Sequence, residues 1–401
     1  MTPENTTNDF IKILHKKKTE EIEDTHRKLA QIQKDLSPVR QNSQLPLLLD
    51  ILDELERFYL QNTKADLENT IRKILQTKKV SVAGSLQGAT LTNERRVVSI
   101  LEPNKENTHL VVGGVSRKIK IYAVGAMLDT ETGFHFPEKT LNGKAKITCA
   151  KWLNRGSVCS GDYEGVLAVW DLAKERRLRT MEEHGERIWS VDSKDNSPLL
   201  LSGSDDFRVK LWSEKEKSSV ETLTAPANVC SVRFVDEFCF AYGCADSRAY
   251  LHDTRNTSSP VSVLVGHKKA VSYCCCMDPK TLATASSDGT LIRWALDGRE
   301  QISPEKTYTG HCNEKNFVGL SVTPELLATG SETNTVYFYH KNVSAPVSHY
   351  AFPGTDPLTG IETGRNTPRE DFVTAVAWLP DWSALLCSNS RGQTKSLKFS
   401  G

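Results

Sequence analysis

The apolar positions follow two different periods along the chain. Residues 8–36 (NDFIKILHKKKTEEIEDTHRKLAQIQKDL) contain no glycine or proline, and Ile22, Leu29 and Leu36 fall seven apart, with Ile32 between the last two. Charges fill the other faces, so the spacing predicts a coiled-coil helix within 1–44, with Lys18 and Thr25 interrupting the stripe. Ser37-Pro38 stops it, because the residue before a proline is driven out of the helical region. Residues 45–77 carry Leu48, Ile51, Leu52, Leu55 and Tyr59, then Leu67, Ile71, Ile74 and Leu75, again at helical spacing. Stripes this narrow cannot bury themselves in a lone helix and call for a partner helix. From about residue 78 the apolar residues alternate or run in fours between Gly, Asp, Asn and Ser, which is the pattern of short strands joined by tight turns.

The strand region repeats. SRKIKIY, YEGVLAVWD, DDFRVKLW, ADSRAYLHD, SDGTLIRW, ETNTVYFY and RGQTKSLKF place Tyr122, Trp170, Trp212, His252, Trp294, Tyr339 and Lys398 in one slot, at spacings of 48, 42, 40, 42, 45 and 59 residues. A period of 40 to 45 residues with Gly-His and Trp-Asp punctuation is the signature of WD40 blades. Seven copies predict an all-β, seven-bladed WD40 propeller over 78–401, each blade a four-stranded antiparallel sheet. Asp206, Asp246 and Asp288 lie six residues before the slot. An aspartate there can accept hydrogen bonds from turn amides and from a histidine, so His184, His267 and His311 are expected to be blade architecture with them. The last blade has only three strands at its C-terminal end, and an open edge invites misassociation. The stretch KKVSVAGSL, residues 78–86, is expected to supply the fourth.

Composition adds limits. Charged residues are 25%, apolar residues 38%, and the formal net charge is +1. Nothing in that balance argues for nucleic acid or an anionic membrane, both of which favour basic surfaces. No window approaches the roughly 18–20 apolar residues of a membrane helix, and MTPENTTNDFIKILHKKK lacks a secretory apolar core, so an intracellular soluble protein is expected. Ten cysteines are present with no CxxC pair, none of them in the first 148 residues, and no metal or cofactor site is expected. Phosphate loops, nucleophile elbows and HExxH are absent, and no acid/base pair converges, so no catalytic residues are expected in the chain itself.

The links after Gly-His mark one rim. His184 to Ile188 and His267 to Val271 each enclose three residues, whereas GHCNEKNF encloses five between His311 and Phe317. The two extra residues should lift Glu314 and Lys315 over the channel mouth, with Phe317 turned down into it. Matching positions supply Lys144, Lys146, Arg187 and Lys269, and neighbouring turns add Tyr163 and Trp189. Aromatic rings among charges are the material of binding hot spots. The set Lys146, Tyr163, Arg187, Trp189, Lys269, Glu314 and Phe317 suits a short extended peptide with an apolar or proline-containing centre and acidic flanks.

These stretches, with SGDYEGVLAVWDL, EEHGERIWSVD, GHKKAVSY and GSETNTVYFYHK, resemble the propeller of the constitutively photomorphogenic ubiquitin ligase and its suppressor-of-phytochrome-A relatives over about 80–401. LHKKKTEEIEDTHRKLAQIQKDL is similar to the coiled coil of the ligase branch. The resemblance implies a substrate receptor of an E3 ubiquitin ligase complex that binds Val-Pro peptides. Tyr163, Trp189 and Phe317 would hold the Val-Pro pair, and Lys146, Arg187 and Lys269 would meet the acidic flanks. It also implies a coiled-coil partner (a second copy or a full-length ligase), a cullin-4 adaptor contact at His252-Asp253-Thr254-Arg255, and residence in nucleus and cytoplasm. Two departures stand out: histidine replaces the aromatic of the adaptor motif, and the zinc-binding RING that precedes the family's coiled coil has no counterpart. Two other readings follow: a ligase sequence incomplete at its N-terminus, and a G-protein β-like scaffold.

Overall fold

The computed structural model describes residues 27, 51, 54–55, 57–58, 62, 64–77, 79–86, 97–128, 135–194, 197–213, 216, 218–297, 302–354 and 371–399. The coiled-coil expectation over 8–36 lies outside these residues, apart from Arg27. The chain divides into two compact units, 1–72 and 73–401. A helix, Lys64–Thr77, crosses that boundary and closes with the Thr77 hydroxyl donating to the Ile74 carbonyl at 2.9 Å.

Residues 80–399 form seven four-stranded antiparallel sheets in sequence order around a central channel. The innermost strands are Val98–Pro103, Ile147–Asn154, Ile188–Ser193, Val229–Phe234, Val271–Asp278, Leu320–Val322 and Val373–Trp378. The strand Val80–Leu86 completes the seventh blade by antiparallel pairing with Thr394–Phe399, from Val80 opposite Phe399 to Leu86 opposite Thr394. Chain start and chain end of the ring therefore share one sheet, and no long edge is left between first and last blade. Apolar clusters lie between neighbouring blades; one joins Ile100 and Val111 of the first blade to Ala150, Val158 and Trp170 of the second.

Close approach of blades depends on small residues. A Cβ on Gly203 would meet Val229 Cγ1 of the next blade at 2.5 Å. Opposite such positions the innermost strand carries a β-bulge. The register slips between Val98/Ile100, Ile147/Cys149, Ile188/Ser190, Val229/Ser231, Val271/Tyr273 and Val373/Ala375. The bulged residues are Ser99, Thr148, Trp189, Cys230, Ser272 and Thr374. Bulges re-aim a side chain at a sheet end, and only Trp189 puts a large ring in that place.

The blade histidines and aspartates work as a relay in the third blade. His184 Nδ1 lies 2.7 Å from Asp206 Oδ2, and its Nε2 lies 2.7 Å from Ser202 Oγ, which accepts the Trp212 indole N–H at 2.8 Å. Burial pushes the Asp206 carboxyl up, but the His184 bond and charge and the Gly185 and Arg208 amides outweigh it and hold it below the usual range. Blade five repeats the design with Asp288, His267, Thr284 and Trp294. Two expectations need correction. Asp246 has no histidine, because Ala225 stands where His184 stands; its Oδ2 accepts from the Tyr250 hydroxyl at 2.6 Å instead. His311 has no aspartate, because Thr333 occupies that place; its Nδ1 lies 3.0 Å from the Tyr339 hydroxyl. In blade seven the slot belongs to Leu397, which pairs with Leu385 and is buried, rather than to Lys398, which faces Ser81. An ammonium placed between blades would need a charged partner, so the leucine takes the inward position.

Acid should loosen this relay. Asp206 and Asp288 both titrate below their ordinary value in the folded chain, so the stability they give is present above about pH 4 and falls away below it. His184→Ala should cost about 2 kcal/mol at neutral pH by removing the buried ring that links Asp206 to Ser202 and leaving each short of one partner. A urea titration of this variant matching the parent would remove the relay's role.

Candidate functional site

One continuous array of side chains crosses the channel mouth on the Gly-His side. Lys146 Nζ stands 5.4 Å from the centre of the Tyr163 ring, and the Tyr163 amide donates to the Lys146 carbonyl at 2.9 Å, which clips the two turns together. Arg187 lies over Tyr163 at 4.9 Å and over Trp189 at 5.4 Å, and its Nη1 donates to the Tyr163 hydroxyl at 3.0 Å. Trp189 stacks on Phe317 at 4.8 Å and 29°, joining the third blade to the sixth. Tyr273 of the fifth blade meets Phe317 edge-on at 5.9 Å. Tyr163 remains 47% exposed, so the array is open to a ligand rather than sealed in the core. Behind it the channel holds a cavity of about 170 Å³ lined by Trp189, Tyr273 and the innermost strands of all seven blades.

The structure thus brings together Lys146, Tyr163, Arg187, Trp189 and Phe317. Lys269 and Glu314 are exposed and their side chains make no hydrogen bond or ion pair among the described residues. They are available charges at the rim, not members of the array. Arg187 is less available than the sequence suggests: its Nε pairs with Asp205, which also accepts from Asn228 Nδ2 at 2.7 Å. The guanidinium is neutralised on one edge and rests its faces on two rings, so Lys144 and Lys146, exposed and without an ion pair among the described residues, carry the positive charge of that side.

Three contributors escaped the sequence reading. Asp205 is the first of the adjacent pair Asp205-Asp206, and each carboxylate serves a different residue of the preceding link. Tyr273 follows the bulge in its strand. Glu332 is the third. Its Oε1 accepts the amides of Lys315 and Asn316, both at 2.8 Å, and Asn316 Nδ2 at 3.0 Å. Burial pushes this carboxyl up, but the converging amides, Glu314's included, hold it below the ordinary glutamate value. The longer link is therefore folded around an anion and its end delivers Phe317 to Trp189. Glu332→Ala should weaken a ligand of this mouth by about fivefold and shift the Trp189 indole resonance, since about 1 kcal/mol of loop order is lost. Glu332→Gln keeps an oxygen at that place and should restore both. Titration and nitrogen-edited NMR of the two variants check this, and equal behaviour of Ala and Gln forms would refute it.

The adaptor candidate is only partly on the surface. His252 is 4% exposed, lying between Phe240 and Tyr242 with ring centres 5.5 Å away on each side, so it offers no contact face. Asp253 and Arg255 pair with each other at 2.6 Å, and Arg255 covers the exposed Phe238 ring at 4.3 Å. No cluster of metal-binding side chains occurs among the described residues.

The WD domain, G-beta repeat, matches residues 175–213 and 258–294. The chain is 38% identical over 337 residues to Protein SUPPRESSOR OF PHYA-105 1 of Arabidopsis thaliana, covering 82% of this chain and 33% of that protein. It is 35% identical over 337 residues to E3 ubiquitin-protein ligase COP1 of Pisum sativum, covering 83% and 49%. It is 38% identical over 302 residues to WD repeat-containing protein RUP1 of Arabidopsis thaliana, covering 71% of this chain and 75% of that one. The chain belongs to the COP1/SPA1 family of WD-repeat propellers. It spans a third to a half of the length of the COP1 and SPA1-type relatives it matches. In this member of the COP1/SPA1 family the array lies on the third and sixth blades and the turns of the second.

Proposed function

We propose that the mouth formed by Lys146, Tyr163, Arg187, Trp189 and Phe317 binds short extended peptides with a Val-Pro centre and acidic flanks. We further propose that the chain is a substrate-recognition part of a COP1-type E3 ubiquitin ligase assembly. The observation that carries this reading is the unbroken line of cation, ring, guanidinium and stacked rings from Lys146 to Phe317. A valine-proline pair suits the ring end, because both residues present apolar surface and proline sacrifices little entropy on ordering. An acidic flank suits the other end, where Lys144 and Lys146 are exposed. Glu314 would meet a basic group beyond the centre. The assembly would come from residues 8–36, pairing as a coiled coil with a second copy or with a full-length ligase.

The test is a titration of a fluorescent acidic Val-Pro peptide into the full chain. Saturable binding is expected, lost when Val-Pro becomes two alanines, and weakened by salt and by exchanging the acidic flanks for lysines. Absence of saturable binding, or binding indifferent to the Val-Pro pair, would overturn the reading in favour of a scaffold propeller.

A further inference from the structure

The opposite mouth of the channel carries a different pattern, visible once the strand registers are aligned. At one level of the innermost strands, each pairing at the same place with the next strand, the seven blades present Glu102, Lys151, Asp192, Arg233, Cys275, Ser321 and Ala377. Four alternating charges are followed by three small uncharged residues. The charges are chained: Lys151 Nζ lies 2.6 Å from Glu102 and 3.6 Å from Asp192, and Arg233 Nη1 lies 3.0 Å from Asp192. Asp192 also accepts the Phe234 amide at 2.8 Å. A cavity of about 640 Å³ opens at this level, walled on the uncharged side by Leu320, Val376, Ala377 and Trp378.

The chain of charges ends unsatisfied. Lys151 serves two carboxylates, and Asp192 accepts two hydrogen bonds beside its ion pair with Lys151, but Arg233 donates only to Asp192 and, at 4.0 Å, to the Cys275 sulfur. Its Nε–H and the rest of its outer edge have no acceptor among the described residues, and 32% of the side chain faces the cavity. A guanidinium edge is shaped for two oxygens of one planar anion. The charges around it decide how much negative charge fits. Glu102 and Asp192 are balanced by Lys151 and Arg233, and farther out the wall carries two lysines, Lys105 and Lys194, and two carboxylates, Asp236 and Glu237. One added negative charge is accommodated at Arg233, whereas a dianion would be driven against Asp192 and Glu102.

We propose that this second mouth is a binding site for a monoanionic carboxylate carried on an apolar body, such as a chain terminus ending in an aliphatic residue or a small aliphatic acid. The carboxylate takes the free edge of Arg233, and the body lies across the small half of the ring toward Leu320 and Val376. The site is separate from the Val-Pro mouth and does not depend on it.

The experiment uses the full chain with nitrogen-labelled arginine, following the Arg233 Nε–H resonance. The probes are N-acetyl-leucine, its amide, and an alanine-rich tetrapeptide ending in a free leucine carboxylate. The free acids are expected to shift the resonance saturably, with the amide at least tenfold weaker. Arg233→Met should abolish binding of the acids. Since that variant leaves Asp192 short of a partner, Ala377→Leu provides a second arm: it leaves the charged chain intact, fills the small half, and should weaken the acids at least fivefold. Tighter binding of the tetrapeptide than of N-acetyl-leucine assigns the site to a chain terminus, and the reverse assigns it to a free acid. Equal shifts with acid and amide, no saturation with either acid, or Ala377→Leu binding like the parent each overturn the proposal.

Discussion

Replacing Trp189 with alanine should weaken an acidic Val-Pro peptide by about thirtyfold or more, on the order of 2 kcal/mol. The residue sits on the bulge of its strand, where other blades place Ser, Thr or Cys, so its ring projects into the mouth instead of filling a blade interface. Phe317 lies flat against one part of it at 4.8 Å and Arg187 against another at 5.4 Å. Removing the indole takes away the apolar platform and leaves both neighbours without their support. Phe317→Ala should cost about 1 kcal/mol, and the double variant should cost less than the sum, since the stacked pair contributes a shared ~1 kcal/mol. Thermal stability should barely move, because the ring is only half-buried. Calorimetric titration of the two single variants and the double variant decides this. A Trp189→Ala dissociation constant equal to that of the parent would remove the ring from the site, and strict additivity would remove the stacking argument.

The repeat made the propeller legible because each blade must bury the same slot, and Trp170, Trp212 and Trp294 mark it plainly. The closing strand was legible for a related reason: three strands at the end of the chain need a fourth, and KKVSVAGSL is the alternating stretch that precedes the first blade. The rim was partly legible, since counting link lengths isolates the residues before Phe317. What counting cannot give is the partner of each side chain. Arg187 and Lys146 look alike as rim cations, yet only the fold places Asp205 against the first. Glu332 is 16 residues from Asn316, in the next turn but one along the chain, and nothing in GSETN announces that its carboxylate will gather the link's amides. Likewise Arg233 and Cys275 each read as strand residues; the half-charged ring exists only when seven registers are set level. One slot was misread by a single residue, Lys398 for Leu397, because a period-two pattern inverts completely on a shift of one.

Replacing His252 with phenylalanine should stabilise the chain, and more so in acid. The fourth blade keeps the aspartate of the relay, Asp246, but has lost the other three members that the third blade keeps. Ala225 stands for His184, Tyr242 for Ser202, and His252 for Trp212. With a tyrosine ring where the third blade has the Ser202 hydroxyl, the blade stacks aromatics instead: Phe240, His252, Tyr242 and Tyr250 lie at 5.5, 5.5 and 4.9 Å. Both imidazole nitrogens are buried without a hydrogen-bond partner among the described residues, and burial holds the ring's pKa at about 4 against an ordinary 6.5. The unfolded chain takes up this proton below pH 6.5, while the folded chain refuses it until about pH 4. Stability is therefore present above 6.5 and lost as the pH falls toward 4. Phenylalanine keeps the stack, leaves no unpaired nitrogen and does not titrate. It should add about 1 kcal/mol at pH 7, and the margin over the parent should widen by a further 1–2 kcal/mol, roughly, at pH 5. His311 and His340 are also held at about 4, with burial the leading cause in each, so some acid sensitivity should persist in the variant. Urea unfolding at the two pH values measures the margin. A margin that stays constant, or a variant less stable than the parent at pH 5, would show that the imidazole is not the strained member of the blade.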